Sequence, residues 1–351
     1  DQTRLAHTSH QVQHIVEQLV PQALDPTAHT TPDFTRTIYT QTELDHSLIP
    51  GQWVDFIPGT DSALTIGRGL THVHGPGTLT AVTGGTVTAF DDIQITTVTD
   101  GTVRAYAQAT IEEVTGGTVI ARDQTTITTV TDGTAYAFEQ ATIEEVTGGN
   151  VEARGEATIT TVTGGTVWAR NQATITTVTD GTVRAYAQAT IEEVTGGNVT
   201  ARDQTTITTV TDGTVTALDG THITTITGGN VYAHEQASIT TVTGGNVYVY
   251  AQASIGTMSG GDVTAEGQTT INTVTGGTIT ATGNATITVS GNAHITAHGN
   301  AQVTIQPGAD GVHVDAYDAA HITAHSGTIT THSPHVTVTN NSDGDAVINH
   351  A

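Results

Sequence analysis

Paired carboxylates are the first chemistry this sequence offers. Adjacent glutamates stand at Glu112-Glu113, Glu144-Glu145 and Glu192-Glu193, and two carboxylates held at a fixed separation can serve as acid and base in glycoside hydrolysis. The pairs recur inside copied segments, however, and nothing unique surrounds any one of them. Solvated charges that discourage side-by-side aggregation account for them better, so no catalytic residue is assigned and the chain reads as a non-enzyme. Histidine offers a second chemistry: His294, His298, His313, His321, His325, His332 and His335 crowd the C-terminal part, and His72-Val73-His74 stands near the other end. On one strand His294 and His298 share a face but lie about 13 Å apart, too far to share a metal. Chelation would need segments stacked on one another, or several chains, so neither metal nor cofactor is assigned.

The most extended pattern is one of rings and guanidinium groups. Phe90, Tyr106, Arg122, Phe138, Arg154, Arg170, Tyr186, Arg202, Leu218, His234 and Tyr250 follow one another at a constant interval. A neighbouring series adds Arg104, Tyr136, Trp168, Arg184, Tyr232 and Tyr248, and six of the nine arginines fall in these two series. At strand spacing Tyr106 would lie over Arg122 and Arg170 under Tyr186, an arrangement that favours cation–π contact. A strip of rings and forked donors can hold sugar rings or a partner's surface. It can equally shield the strands beneath it and stiffen them.

The interval behind these series is sixteen residues, and it fixes the architecture. An apolar residue returns from Leu79 through Ile95, Ile111 and Ile175 to Val303 with no insertion or deletion. A second column runs from Val82 to Val274, a third from Val87 to Ile295 with Ala135 as its one unbranched member, and a fourth from Ala89 to Ala297 broken by Val249 alone. Columns in step mean identical units stacked along one axis, since one inserted residue would put every later side chain on the wrong face. The fold class is therefore all-β, a parallel β-solenoid with one coil per unit. In residues 172–187 apolar and polar residues alternate through Ala173–Thr176 and again through Thr182–Tyr186, the strand period of two. The alternation breaks at Thr176-Thr177 and at the recurring Gly-Gly or Asp-Gly pair, which predicts two strands and two corners per coil.

Three regions follow. Residues 71–306 are the rod, about fifteen coils long. Residues 1–70 differ: Ser9–Leu24 carries a helical pattern through Val12, Ile15, Val16, Leu19 and Val20, and Pro32, Pro50 and Pro58 punctuate a stretch holding Trp53 and Phe56. This region is either an attachment domain or the cap that a solenoid end requires. From Pro307 the sixteen-residue frame is lost, and residues 307–351 read as an irregular β cap or oligomerising tip. The chain opens on Asp1 rather than Met, which suggests processing or truncation. It has no cysteine and no lysine, carries a net charge of −25, and contains no apolar run long enough for a membrane span. That charge argues against nucleic acid as a partner. Residues 95–117 are identical to residues 175–197 and Asp123–Thr134 matches Asp203–Thr214, so a five-coil block has been duplicated; a length that changes by blocks suits a spacer or a repeated surface.

Two resemblances bear on function. The segment Gly181–Thr190 resembles the Ala-Thr-Val-x-Ala-Tyr octads of β-solenoid repeat proteins from actinobacteria and their prophages, and Gly283–His294 is similar to the octads of phage and secretion-system spikes, which intertwine as trimers. They imply a virion or cell-surface rod, a tail fibre or adhesin outside the cell, with a homotrimer as one assembly. Its partners would be a cell-envelope glycan, a surface protein or neighbouring appendage subunits. The Thr-x-Thr pairs at Thr126/Thr128, Thr158/Thr160, Thr174/Thr176 and Thr206/Thr208 resemble the ice-binding faces of β-helical antifreeze proteins, which makes ice binding the second reading. Rod-shaped phage tailspikes that cleave polysaccharide with carboxylates on a β-helix make the glutamate pairs the third.

Overall fold

Column-forming residues require a ladder in which each coil repeats the one before it, and the ladder is present. The computed structural model describes residues 36–59, 61–341 and 346–351, and over them the chain is a parallel β-solenoid of about 19 turns. Ile175 pairs with Ile159 on one side and Ile191 on the other, and Ala185 lies between Ala169 and Ala201. All four columns are interior: Ile175, Val178, Val183 and Ala185 are fully buried, and so are their counterparts in the neighbouring coils. A fifth column, at Ala173 and Ala189, completes the core. Threonine replaces alanine there at Thr125, Thr205, Thr221 and Thr269, and the first three hydroxyls donate to the carbonyl three residues earlier at 2.6–2.7 Å.

The corners differ from expectation in one respect. The parity step at Thr176-Thr177 is a kink inside the strand Thr174–Val178, not a corner. The ladder pairs Thr174, Ile175, Thr177 and Val178 with the next coil and passes over Thr176, which lets Ile175 and Val178 both face inward. The second reversal sits at Ala187-Gln188, where φ is 50° and 66°, two successive left-handed residues that close a tight turn. The same turn recurs at Ala107-Gln108, Asp123-Gln124, Asn171-Gln172 and Asp203-Gln204. Glycine marks it in some coils only, at Gly155, Gly220, Gly267, Gly283 and Gly299, so it stands out less than the Gly-Gly and Asp-Gly corner. Side-chain amides compensate by bonding along the axis, Gln108 to Gln124 at 3.0 Å and Gln124 to Gln140 at 3.3 Å.

The glycine corner is as expected. Gly181 has φ +89°, and a Cβ there would lie 2.8 Å from the carbonyl carbon of Gly164 in the coil beneath. Where the preceding residue is aspartate, its carboxylate accepts from the glycine N–H, as at Asp180 and Gly181 at 2.7 Å. The threonine ahead of each corner ties coil to coil, Thr179 Oγ1 donating to the carbonyl of Val162 at 3.2 Å.

The stack also runs past both expected boundaries. At the N-terminal side Arg36–Ile38 pairs with Trp53–Pro58, which pairs with Leu70–His74, so coils begin inside the region expected to be irregular. One short helix, α1 (Gln41–Ser47), lies in that region; Thr40 and Glu43 form a capping box at its start, and Leu44 is buried in the core. The helix expected over Ser9–Leu24 lies outside the described residues. Beyond residue 306 the spacing becomes uneven but the pairing persists: His294 lies beside His313, and His313 beside Thr328. Length changes there fall in turns, such as Gln306–Gly311, which a ladder tolerates. Among the described residues no helix is long and apolar enough to cross a membrane.

Candidate functional site

Alternation sends every second residue of Thr182–Tyr186 outward, and the parallel register sets each such residue on its counterpart in the next coil. The ring and guanidinium series therefore becomes a two-column strip along one side of the rod. All fifteen residues expected to form it are only partly exposed, because they cover one another. Phe90 stacks on Tyr106 at 5.5 Å between ring centroids, Tyr232 on Tyr248 at 4.9 Å and His234 on Tyr250 at 4.6 Å. Phe138 lies between two guanidinium groups, Arg122 at 4.8 Å and Arg154 at 5.9 Å. Tyr186 likewise lies between Arg202 at 4.6 Å and Arg170 at 5.4 Å, and Arg184 reaches over Trp168 at 5.9 Å. Tyr136 meets Phe138 within its own strand, and Arg104 takes its register place between Thr88 and Ile120.

Interplanar angles of 8–15° in the Phe90–Tyr106, Tyr232–Tyr248 and His234–Tyr250 stacks show that ring faces turn along the axis toward one another. Solvent meets ring edges, phenol hydroxyls and the ends of guanidinium groups. A sugar stacks on a ring face, and most of these faces are taken. The strip consequently suits hydrogen bonding and edge contact better than carbohydrate stacking.

Glu152 is a member the sequence pattern did not single out. It occupies the Arg104 column between Tyr136 and Trp168, and it is 7% exposed. Arg154 Nε donates to it at 2.8 Å, and Arg170 Nε lies 3.3 Å from the same oxygen without aligning for a hydrogen bond. Burial raises the Tyr136 phenol above its ordinary pKa, with the Glu152 charge adding to the effect. The strip also extends further than its sixteen-residue period suggests. Trp53 stacks on His72 and His74 on Phe90 at one end, while Tyr317 stacks between His298 and His332 at the other. Uneven coil lengths conceal Trp53, Tyr317 and His332 from a search at fixed period, whereas His72, His74 and His298 keep the period.

The histidines are where stacking changes the chemistry most. Register places His294 beside His313, with ring centroids 5.2 Å apart, and Asp315 follows two residues along the same strand. Three imidazoles converge on that carboxylate: His294 Nε2 at 3.5 Å and His313 Nε2 at 3.4 Å from Oδ2, and His332 Nε2 at 3.0 Å from Oδ1. Burial alone would raise the Asp315 pKa; the hydrogen bond from His332 and the positive charge available on His313, His294 and His332 outweigh it and hold the carboxyl low. At the other end His72 and His74 converge in the same way on Asp55, at 2.9 and 3.6 Å.

The remaining candidates are more dispersed. Register sets a threonine on each side of Glu113, Glu145 and Glu193, so carboxylates of different pairs are not neighbours. On the Thr-x-Thr face the exposed Glu144 and Glu192 confine Thr158/Thr160 and Thr174/Thr176 to two consecutive coils between charges. Openings along the turn columns are polar troughs, one of about 740 Å³ lined by Asp219, Glu235, Gln236, Gln252 and Gln268 and another of about 450 Å³ lined by Asn171, Gln172, Gln188, Asp203 and Gln204. No known protein family, curated protein or solved structure matches the chain.

Proposed function

We propose that this protein is a non-enzymatic structural and adhesive rod of a virion or cell-surface appendage, in contact with its partner through the ring and guanidinium strip. The observation that carries the reading is the extent of the strip: outward rings and arginines occupy one side of the rod in every coil from Trp53 to Arg202, and again at Tyr232–Tyr250 and His298–His332, across coils whose other outward residues are mainly threonine. A repeated surface gains affinity from many weak contacts made together. Because ring edges and hydroxyls are what the strip presents, a surface protein or a neighbouring appendage subunit fits it better than a stacked sugar.

The test compares two double variants of the whole chain. W168S/Y186S should lose binding to envelope preparations or to isolated appendage subunits, whereas T158Y/T160Y on the threonine face should bind as the parent does. Thermal hysteresis is measured on the same proteins. Hysteresis in the parent that disappears from the threonine-face variant, with no adhesion in any of them, would overturn the proposal in favour of ice binding.

A further inference from the structure

We propose that His294, His313 and Asp315 form a binding site for a first-row divalent metal ion, zinc foremost, on the outer face of the C-terminal coils. Their three ligand atoms all lie within 4.8 Å of one another. More telling are the two separations from Asp315 Oδ2, 3.5 Å to His294 Nε2 and 3.4 Å to His313 Nε2. Neither is a hydrogen bond, for which about 2.7–3.2 Å is usual. Both match the edge of a tetrahedron around zinc, since bonds of about 2.0–2.2 Å to nitrogen and oxygen set neighbouring ligands about 3.3–3.5 Å apart. The two imidazoles need only turn toward each other to complete a face, and with side chains 49% and 42% exposed they are free to do so.

The surroundings supply what a metal ligand set needs beyond its own atoms. His332 holds the other carboxylate oxygen at 3.0 Å, which orients Asp315 so that Oδ2 faces the imidazoles; second-shell bonds of this kind fix a ligand's direction. Tyr317 stacks on His332 at 4.4 Å and keeps that ring in place. Two imidazole nitrogens and one carboxylate oxygen suit zinc and its first-row neighbours, whereas calcium and magnesium prefer oxygen alone. A fourth position is left to water or to a group from outside the chain. The ligands come from two coils separated by one turn of the stack, so a bound ion would clip those coils together.

The experiment is calorimetric titration of the full-length protein with zinc chloride at pH 7.5 after treatment with a chelator, supported by the visible absorption of a cobalt(II) complex. One ion per chain is expected, with a tetrahedral cobalt band and a melting temperature that rises on adding zinc. H294A, H313A and D315N should each weaken binding tenfold or more. H321A and H335A, which alter histidines outside the cluster, should leave it unchanged. Melting of every variant in chelator separates lost binding from lost folding, since none of these outward side chains should be needed for the fold. No zinc binding by the parent in the micromolar range would overturn the proposal, as would equal losses in H321A and D315N, the mark of diffuse binding by many histidines.

Discussion

Glu139 shows how a single residue feels its copy-to-copy neighbour. It lies one coil beyond Asp123, and the hydrogen bond between their carboxyls, followed by burial and by the Asp123 charge, raises its pKa. A carboxyl with a raised folded pKa contributes stability below its unfolded pKa, and that contribution is lost as pH rises through the folded value. At pH 7 the pair is therefore a weak liability, softened by solvent. Replacing Glu139 by Gln should stabilise the protein at pH 7 by a few tenths of a kcal/mol, about the scale of an exposed charge pair, and the gain should vanish near pH 4; melting temperature against pH for both proteins measures it. Tyr186 behaves in the opposite sense. Its two guanidinium contacts are each worth about 0.5–1 kcal/mol at an exposed site, so Tyr186→Ser should cost about 1–2 kcal/mol and Tyr186→Phe much less. Adhesion assays on strip variants belong well below their melting temperatures for this reason.

At the scale of elements, the two turns of each coil ask opposite things of the sequence. Gly181 combines φ +89° with backbone of the coil beneath at 2.8 Å from any added Cβ, so Gly181→Ala should cost about 1–3 kcal/mol, seen as a lowered denaturation midpoint. Ala187 holds φ 50° while carrying a Cβ, where glycine would be unstrained. Ala187→Gly should accordingly stabilise by about 1 kcal/mol. The contrast also explains what the sequence could and could not disclose. Apolar columns and glycine corners were legible because burial and positive φ each select a residue type. The Ala187-Gln188 turn was harder to read, since its left-handed positions are filled by glycine in some coils and by aspartate, asparagine, alanine or glutamine in others, so no one residue type marks it in every coil. The strip was legible as a series but its behaviour was not: only the register shows that ring faces pair with each other, that Glu152 is enclosed among them, and that His294 meets His313.

For the whole molecule the decisive property is that one coil interacts with its neighbours alone, so that stability is approximately a sum over coils and interfaces. A charge in the core tests the interface part. Ile175→Asp would bury a carboxylate between Ile159 and Ile191, costing several kcal/mol, and should divide the single unfolding transition into two. Removing coils tests the additive part, and the duplicated block offers a clean way to do it. Because residues 95–117 and 175–197 are identical, deleting residues 95–174 joins Gln94 to Ile175 with the same following sequence that Ile95 has now. Every outward and inward neighbour at the junction is preserved, including Phe90, which would stack on Tyr186 as it does on Tyr106. The deletion removes five coils, 80 residues at 16 per coil, and should shorten the rod by about 24 Å at roughly 4.8 Å per coil. Small-angle scattering should register that change in maximum dimension while the melting temperature stays within a few degrees of the parent. A collapsed or aggregated product would mean that the coils depend on more than their neighbours, and the rod could not then have grown by block duplication without passing through unstable lengths.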